Sequence, residues 1–243
     1  MIKGIFTSAS GMIPRIKKQE ISANNIANAS TPGFKKDQIF TRELSKAEKR
    51  LQPRKSDWQQ PMVDEVYTSY APGVFDKTGN QLDLAIDGEG FFRLQLPDGS
   101  TALTRAGCFS VNEEGFVSFP GGALLVGEGG PLEVGNGKVA VAQNGTVEVD
   151  GSAAGRITPV TVADFEQLEK IGSSLFAVPE GTTLITVETS TIQQGFLEAS
   201  NVDIVREMID MIISFRNYEA DAKAVQVQDQ SLDHLFRRVG SNG

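Results

Sequence analysis

One cysteine, Cys108, and one histidine, His234, are nearly all that this chain of 243 residues offers to thiol or soft-metal chemistry. A disulfide framework is thereby excluded, and zinc or haem ligation finds almost no ligands. A Ser-His-Asp or Cys-His site would have to be built around a single histidine near the end of a predicted helix. No run ends in Gly-Lys-Ser/Thr, and Gly88-Glu89-Gly90 lacks a third glycine at the dinucleotide-binding spacing. The sequence predicts no cofactor, no metal, no catalytic residue and no enzymatic activity. Long hydrophobic runs are also missing: none approaches the ~18 apolar residues needed to cross a bilayer, so no membrane insertion is expected. The N-terminal apolar residues are spaced rather than continuous and no small-x-small cleavage site follows, so no conventional secretory signal is expected. Positive charge is scarce in the middle, where residues 76–195 carry 6 basic and 16 acidic groups. That balance argues against nucleic acid as a partner. Cys108 reads as a small apolar residue buried in a strand.

A further absence is local. The chain holds 25 glycines and 10 prolines, yet none falls between Phe196 and Val239. Such a run predicts one long helix. Ser200 and Asn201 supply N-cap chemistry, Ser200 with Asp203 has the form of a capping box, and Gly240 stands where a terminating glycine belongs. Along the run Ile204, Met208, Met211, Phe215, Tyr218, Ala222, Val225, Leu232, Phe236 and Val239 keep a 4-3 rhythm, broken only at Asp229. This is a heptad seam, and it predicts a helical partner. An ordinary long helix on a globular core is the other reading. Val205, Ile209 and Ile212 widen the stripe enough for a second partner.

Residues 2–28 repeat the rhythm with Ile2, Ile5, Ala9, Met12, Ile16, Gln19, Ala23 and Ile26, thickened by Phe6, Ile13 and Ala27. Pro14 and Gly11 predict a kink or two helical pieces, because an interior proline costs ~3 kcal/mol. The first 36 residues carry +5 and the last 48 carry −3, which favours pairing of the two ends with each other. Asn24, Asn25 and Asn28 read either as capping and fraying at the helix end or as amides that fix register against neighbouring helices. Thr31-Pro32-Gly33 follows as a turn.

Between the ends, residues 36–75 read as an extended connector with a strand near 62–67. The basic groups Lys46, Lys49, Arg50, Arg54 and Lys55 read as a solvated face. Residues 76–195 hold 19 of the 25 glycines and alternate in short runs: 92–96, 101–104, 116–119, 139–143, 146–149, 156–165, 175–178 and 184–188. A helical turn is expected at 166–171, and Asn144-Gly145 is a strong hairpin signal. The expected fold class is mixed: long N- and C-terminal helices paired as a coiled coil, with an all-β central domain of sandwich or barrel type. The expected division is 1–35, 36–75, 76–195 and 196–243.

Three stretches resemble one family. Ser22-Ala23-Asn24-Asn25-Ile26-Ala27-Asn28-Ala29-Ser30-Thr31-Pro32-Gly33-Phe34-Lys35 is the first. Leu82-Asp83-Leu84-Ala85-Ile86-Asp87-Gly88-Glu89-Gly90-Phe91-Phe92, followed by Thr104-Arg105-Ala106-Gly107, is the second. Gly195-Phe196-Leu197-Glu198-Ala199-Ser200-Asn201-Val202-Asp203 is the third. In this order they resemble the bacterial flagellar rod and hook proteins. The resemblance implies a structural subunit of the basal-body rod, spanning the periplasm, that polymerises through its terminal helices into a hollow tube transmitting torque. It implies self and other rod proteins as partners, and export by the flagellar type III apparatus. The subunit interface would use Ile2, Ile5, Phe6, Met12, Ile16, Asn24, Asn25, Ile26 and Asn28 of the first helix. From the second it would use Ile204, Met208, Met211, Phe215, Tyr218, Val225, Leu232 and Phe236. The short connector favours a proximal rod position over a distal rod or hook one. The reading from another class is a monomeric binding module or enzyme on the β domain, which no residue constellation supports. The acidic β domain would face solvent. Neutralising Glu113, Glu114 and Glu166 is therefore expected to change assembly, measured by sedimentation, less than one substitution on the helix seam; the reverse order would overturn the assignment of faces.

Overall fold

The structure, a computed structural model, describes residues 2–44, 60–172, 174–179 and 181–240; for residues 2–7, 40–44, 60–65, 235–236 and 238–240 the backbone alone is described. The chain divides into two compact units. One comprises Met1–Ala27, Lys36–Ser69 and Asp203–Gly243, the other Asn28–Lys35 and Tyr70–Val202.

In the first unit, α1 (Ile2–Ala27) and α2 (Ile204–Gly240) accompany β1 (Asp37–Leu44) and β2 (Gln60–Thr68). α1 is one continuous helix with Pro14 inside it, not two pieces. Proline removes one backbone hydrogen bond, but Gly11 and Pro14 are both buried, and tertiary packing outweighs local propensity. α2 has 37 residues and is about 55 Å long at ~1.5 Å per residue. It begins later than the sequence suggests. Asp203 is its cap, its carboxylate accepting from the Arg206 N–H at 3.1 Å, while the Ser200 hydroxyl accepts from the Val202 N–H ahead of the helix. Gly240, expected just past the end, is the last helical residue. β1 and β2 pair antiparallel, with a bulge between Phe40 and Thr41. β2 contains the strand expected at 62–67, and the five basic groups at 46–55 lie outside the described residues.

The second unit is built of short strands. In chain order they are β3 (Phe75–Lys77), β4 (Leu84–Asp87), β5 (Phe92–Gln95), β6 (Thr101–Thr104), β7 (Ser110–Val111), β8 (Val117–Phe119), β9 (Ala123–Gly127) and β10 (Gly130–Pro131). β11 (Val139–Val141), β12 (Thr146–Val149), β13 (Ser152–Arg156), β14 (Val160–Val162), β15 (Glu169–Ile171), β16 (Leu175–Ala177), β17 (Leu184–Thr186), β18 (Thr191–Gln194) and β19 (Phe196–Glu198) follow. Eight form one sheet in the order β15-β16-β6-β5-β9-β8-β7, with β10 on β9; β11-β12-β13 form another; β14–β17, β4–β18 and β3–β19 are pairs. The described strands do not close into a barrel. The expected run 156–165 is interrupted at Pro159, which has no N–H to donate. The expected helical turn shrinks to a single 3-10 turn at Phe165–Gln167, capped by Asp164. Asn144-Gly145 does turn β11 into β12, in the four-residue connection 142–145 with Gly145 at φ 84°.

Alternation on β5, β6 and β16 sends side chains to two cores. Phe92, Leu94 and Ala102 join Leu84, Ile86, Phe109 and Val117 in one. Phe91, Leu103 and Phe176 join Val160, Val162 and Leu168 in the other, with Tyr70 stacked edge-on against Phe91 at 5.8 Å. Cys108 is half-buried beside the first core, and burial pushes its thiol up from the ordinary value. The first core leaves no tolerance at Gly107, where a Cβ would stand 1.6 Å from the Leu84 carbonyl oxygen. Gly107→Ala is expected to destabilise this unit by at least ~1–3 kcal/mol, the usual cost of overpacking, read as a lower urea midpoint; an unchanged midpoint would contradict this packing.

Candidate subunit interface

The two helices of the first unit meet along a polar line. The Ser22 hydroxyl donates to Glu207 at 2.8 Å, Lys18 lies 3.3 Å from Asp210, and Arg15 lies 2.8 Å from Asp221. The Ser214 hydroxyl donates to the Arg15 carbonyl at 3.0 Å. Numbers rise on one helix as they fall on the other, so the pair is antiparallel. Glu207, Ser214 and Asp221 are seven residues apart. They lie one position before Met208, Phe215 and Ala222 of the expected seam, a turn of ~100° at that line. Met211, Tyr218, Val225 and Leu232 are half-buried, as are Met12 and Ile26, whereas Ile16, Ile204, Met208 and Phe215 are exposed. Ile2, Ile5, Phe6 and Phe236 lie on the helices, outside the described side chains.

The asparagines separate. Asn25 is buried and its amide forms two bonds with the Asp37 backbone, donating to the carbonyl at 2.9 Å and accepting from the N–H at 3.0 Å. It fixes the start of β1 on α1, instead of a neighbouring helix as expected. Asn24 is exposed. Asn28 anchors a turn, its carbonyl accepting from the Thr31 N–H.

Turning the seam leaves an apolar flank outside. Val205, Met208, Ile209, Ile212, Ile213 and Phe215 of α2 are each 48–68% exposed. Contiguous patches of this kind mark interaction sites. Beside it, Met211, Ile212 and Phe215 of α2 with Gln19 and Ala23 of α1 line a groove of about 560 Å³, edged by Glu20, Arg216 and Glu219. The intrachain ion pairs are partly exposed, and such pairs contribute only ~0–1 kcal/mol each.

The second unit holds a buried ionic clasp that the sequence reading did not identify. Glu198 on β19 is fully buried. One carboxylate oxygen accepts from Lys35 at 2.6 Å and from the Gly73 N–H at 2.9 Å; the other accepts from Arg105 at 3.3 Å. Lys35 also donates to the Ala71 carbonyl, and Arg105 to the carbonyls of Ile86 and Gly88. Burial holds both cations below their ordinary values, and the Glu198 carboxylate offsets only part of that lowering. Here Phe196–Glu198 is strand, not the start of the long helix. Gly33 sits at φ 65° with the Ala106 N–H where its Cβ would be, at 2.2 Å. The signal was present, since Lys35, Arg105 and Glu198 each lie within or at the end of one of the three quoted stretches. His234 is exposed on α2, and among the described residues no cluster of His, Cys, Asp or Glu could hold a metal ion. No described helix is long and apolar enough to cross a membrane.

A long helix at each end, a β-rich unit between them and an uncovered apolar flank define an assembly subunit in class. Comparison with known proteins gives the family. Residues 5–35 match the model described as flagella basal body rod protein, residues 85–155 the flagellar hook protein FlgE/F/G D1 domain, and residues 193–237 the flagellar basal body rod FlgEFG protein C-terminal. The chain is 35% identical to the flagellar basal-body rod protein FlgF of Caulobacter vibrioides, over 99% of each chain. It is 31% identical to FlgG of Bacillus subtilis, over 97% of this chain and 98% of that one. With FlgG of Caulobacter vibrioides the identity is 31%, over 95% and 97%. The chain belongs to the flagellar basal-body rod protein family.

The clasp generates a prediction. Removing one partner of a buried ion pair strands the others at ~3–5 kcal/mol. Glu198→Ala is expected to lose that much in urea denaturation, and Glu198→Gln, which keeps the acceptor oxygen, less. Equal stability of Glu198→Ala and wild type would mean that the clasp contributes nothing.

Proposed function

We propose that the chain is a structural subunit of the bacterial flagellar basal-body rod, located in the rod across the periplasm. In this reading it polymerises through its terminal helices into a hollow helical tube that transmits torque. The observation that carries the reading is the exposed stripe from Val205 to Phe215 on a helix whose other side already meets α1. An apolar flank beside a weakly held polar seam is completed by helices of other copies. The expected seam positions Ile204, Met208 and Phe215 point out of the intrachain pair, so coiled-coil packing is proposed between copies. Met12, Ile16, Ile26, Met211, Tyr218, Val225 and Leu232 flank that contact. In the expected division, 1–35 and 196–243 carry assembly through their helical parts, Ile2–Ala27 and Ile204–Gly240, 36–75 connect and 76–195 form the β domain. Other rod proteins and the type III export apparatus are the proposed partners, and no catalysis is assigned. Identity of 35% with FlgF against 31% with FlgG of the same organism supports a proximal rod position; a distal rod or hook position is the second reading.

Phe215→Asp tests the stripe. Phe215 is 51% exposed, so the isolated chain should lose under ~0.5 kcal/mol, as surface substitutions do. In the polymer an unpaired carboxylate would be covered by a neighbour at a cost of several kcal/mol. Basal bodies from cells carrying the variant are expected to stop short of a full rod, while the purified protein melts like the wild type. A complete rod containing Phe215→Asp, or a collapsed melting transition, would remove this stripe from the interface.

A further inference from the structure

The outward side of α1 carries its own rhythm: Ala9, Ile13, Ile16, Glu20, Ala23 and Ala27 are spaced 4-3-4-3-4 and all are exposed. It is not uniform. Ile13, 66% exposed, and Ile16, 42% exposed, form a two-residue apolar rib. Seven residues further on, small Ala23 forms part of the groove with Met211, Ile212 and Phe215. A rib and a recess therefore lie on one side of one helix, roughly 10 Å apart at ~1.5 Å per residue.

We propose that the Ile13–Ile16 rib of one copy seats in the Ala23–Met211–Phe215 groove of the next. The inference rests on the assembly reading and names which surfaces mate. Three observations commit the groove to a second copy. The first is fit: the rib supplies two branched side chains at helical spacing, and the groove an apolar floor with an alanine at its wall. The second is charge. Lys17 stands beside the rib, 48% exposed and 3.1 Å from Glu20 of its own chain. The groove is edged by Glu20 and Glu219 against the single Arg216. A rib-in-groove contact brings Lys17 of the next copy towards the Glu20 and Glu219 carboxylates, whereas a symmetric rib-to-rib contact brings Lys17 to Lys17. The third is size. Two isoleucines and a groove of this volume fall below the area of a stable binary interface, so the contact suits repetition along a polymer. Because rib and groove differ, the contact is heterologous, each copy uses both, and the series does not close on itself.

Cysteine cross-linking in isolated basal bodies tests this. Cells carry Ile13→Cys/Ala23→Cys, either single variant alone, or the two singles together with one of them tagged, and a short bismaleimide is applied. The wild-type chain, whose only thiol is Cys108, is the blank. The double variant should give a ladder of dimers, trimers and higher species. Either single alone should give no product beyond the blank, and the two singles together only the mixed dimer. Dimers from Ile13→Cys alone, or rods that contain the double variant without a ladder, would overturn the pairing and leave the assembly reading standing. Basal bodies whose rods lack even the wild-type chain would overturn the assembly reading itself and this pairing with it.

Discussion

A fully buried carboxylate held between two buried cations is the constraint on which the second unit depends. Glu198 cannot be solvated, so its charge is tolerated only while Lys35, Arg105 and the Gly73 N–H stay within hydrogen-bonding reach. Those groups come from segments far apart in sequence, and holding them together fixes the backbones that carry them. Two cations against one anion leave a positive surplus, which the carbonyls of Ala71, Ile86 and Gly88 absorb. Close approach is the geometric cost. Gly33 against Ala106, and Gly73 with the Ala199 carbonyl oxygen 1.9 Å from where its Cβ would be, leave no volume for any side chain.

The first unit inverts this arrangement. Its intrachain helix contact is polar, buried at Ser22–Glu207 and partly solvated at Lys18–Asp210 and Arg15–Asp221. Val205, Met208, Ile209, Ile212, Ile213 and Phe215 on α2 face outward, while Met211, Tyr218, Val225 and Leu232 are half-buried. Exposed ion pairs give geometry and little free energy, whereas burying one of those apolar side chains contributes ~1.5–3 kcal/mol. In the proposed assembly the pair keeps its largest available stabilisation for contacts outside the chain.

How much was legible follows the same physics. The absence of glycine and proline after Phe196 announced α2, because only a helix needs so long an unbroken run, and Asn144-Gly145 announced its turn because few residues accept a positive φ. The expected seam lies one residue beyond the contacting line because hydrophobic periodicity locates the most apolar face, and in this chain that face is not the one turned to α1. Pro14 was overweighted since local cost says nothing of the packing that offsets it. β19 was missed because Phe196-Leu197-Glu198 lacks the markers that separate strand from helix; its pairing with β3 and the burial of Glu198 decide it. The clasp was hidden because charged residues read as surface until their partners are found, and those partners lie up to 163 positions away.

The location of the clasp bears on what the family resemblance reports. The three stretches that carry it end at or contain Lys35, Arg105 and Glu198, so they describe how the chain holds itself together rather than what it touches. Ile13, Ile16, Met208, Ile212 and Phe215 lie outside those stretches and on the exposed side of the helix pair. A buried ion triad admits few alternatives at each of its positions, whereas an exposed apolar stripe can change shape and edge charge without unfolding the chain. In the proposed assembly, selection of neighbours falls to the outward helix faces, where the rib, the groove and the charges beside them would provide both the attractive match and the repulsive mismatch that specificity requires.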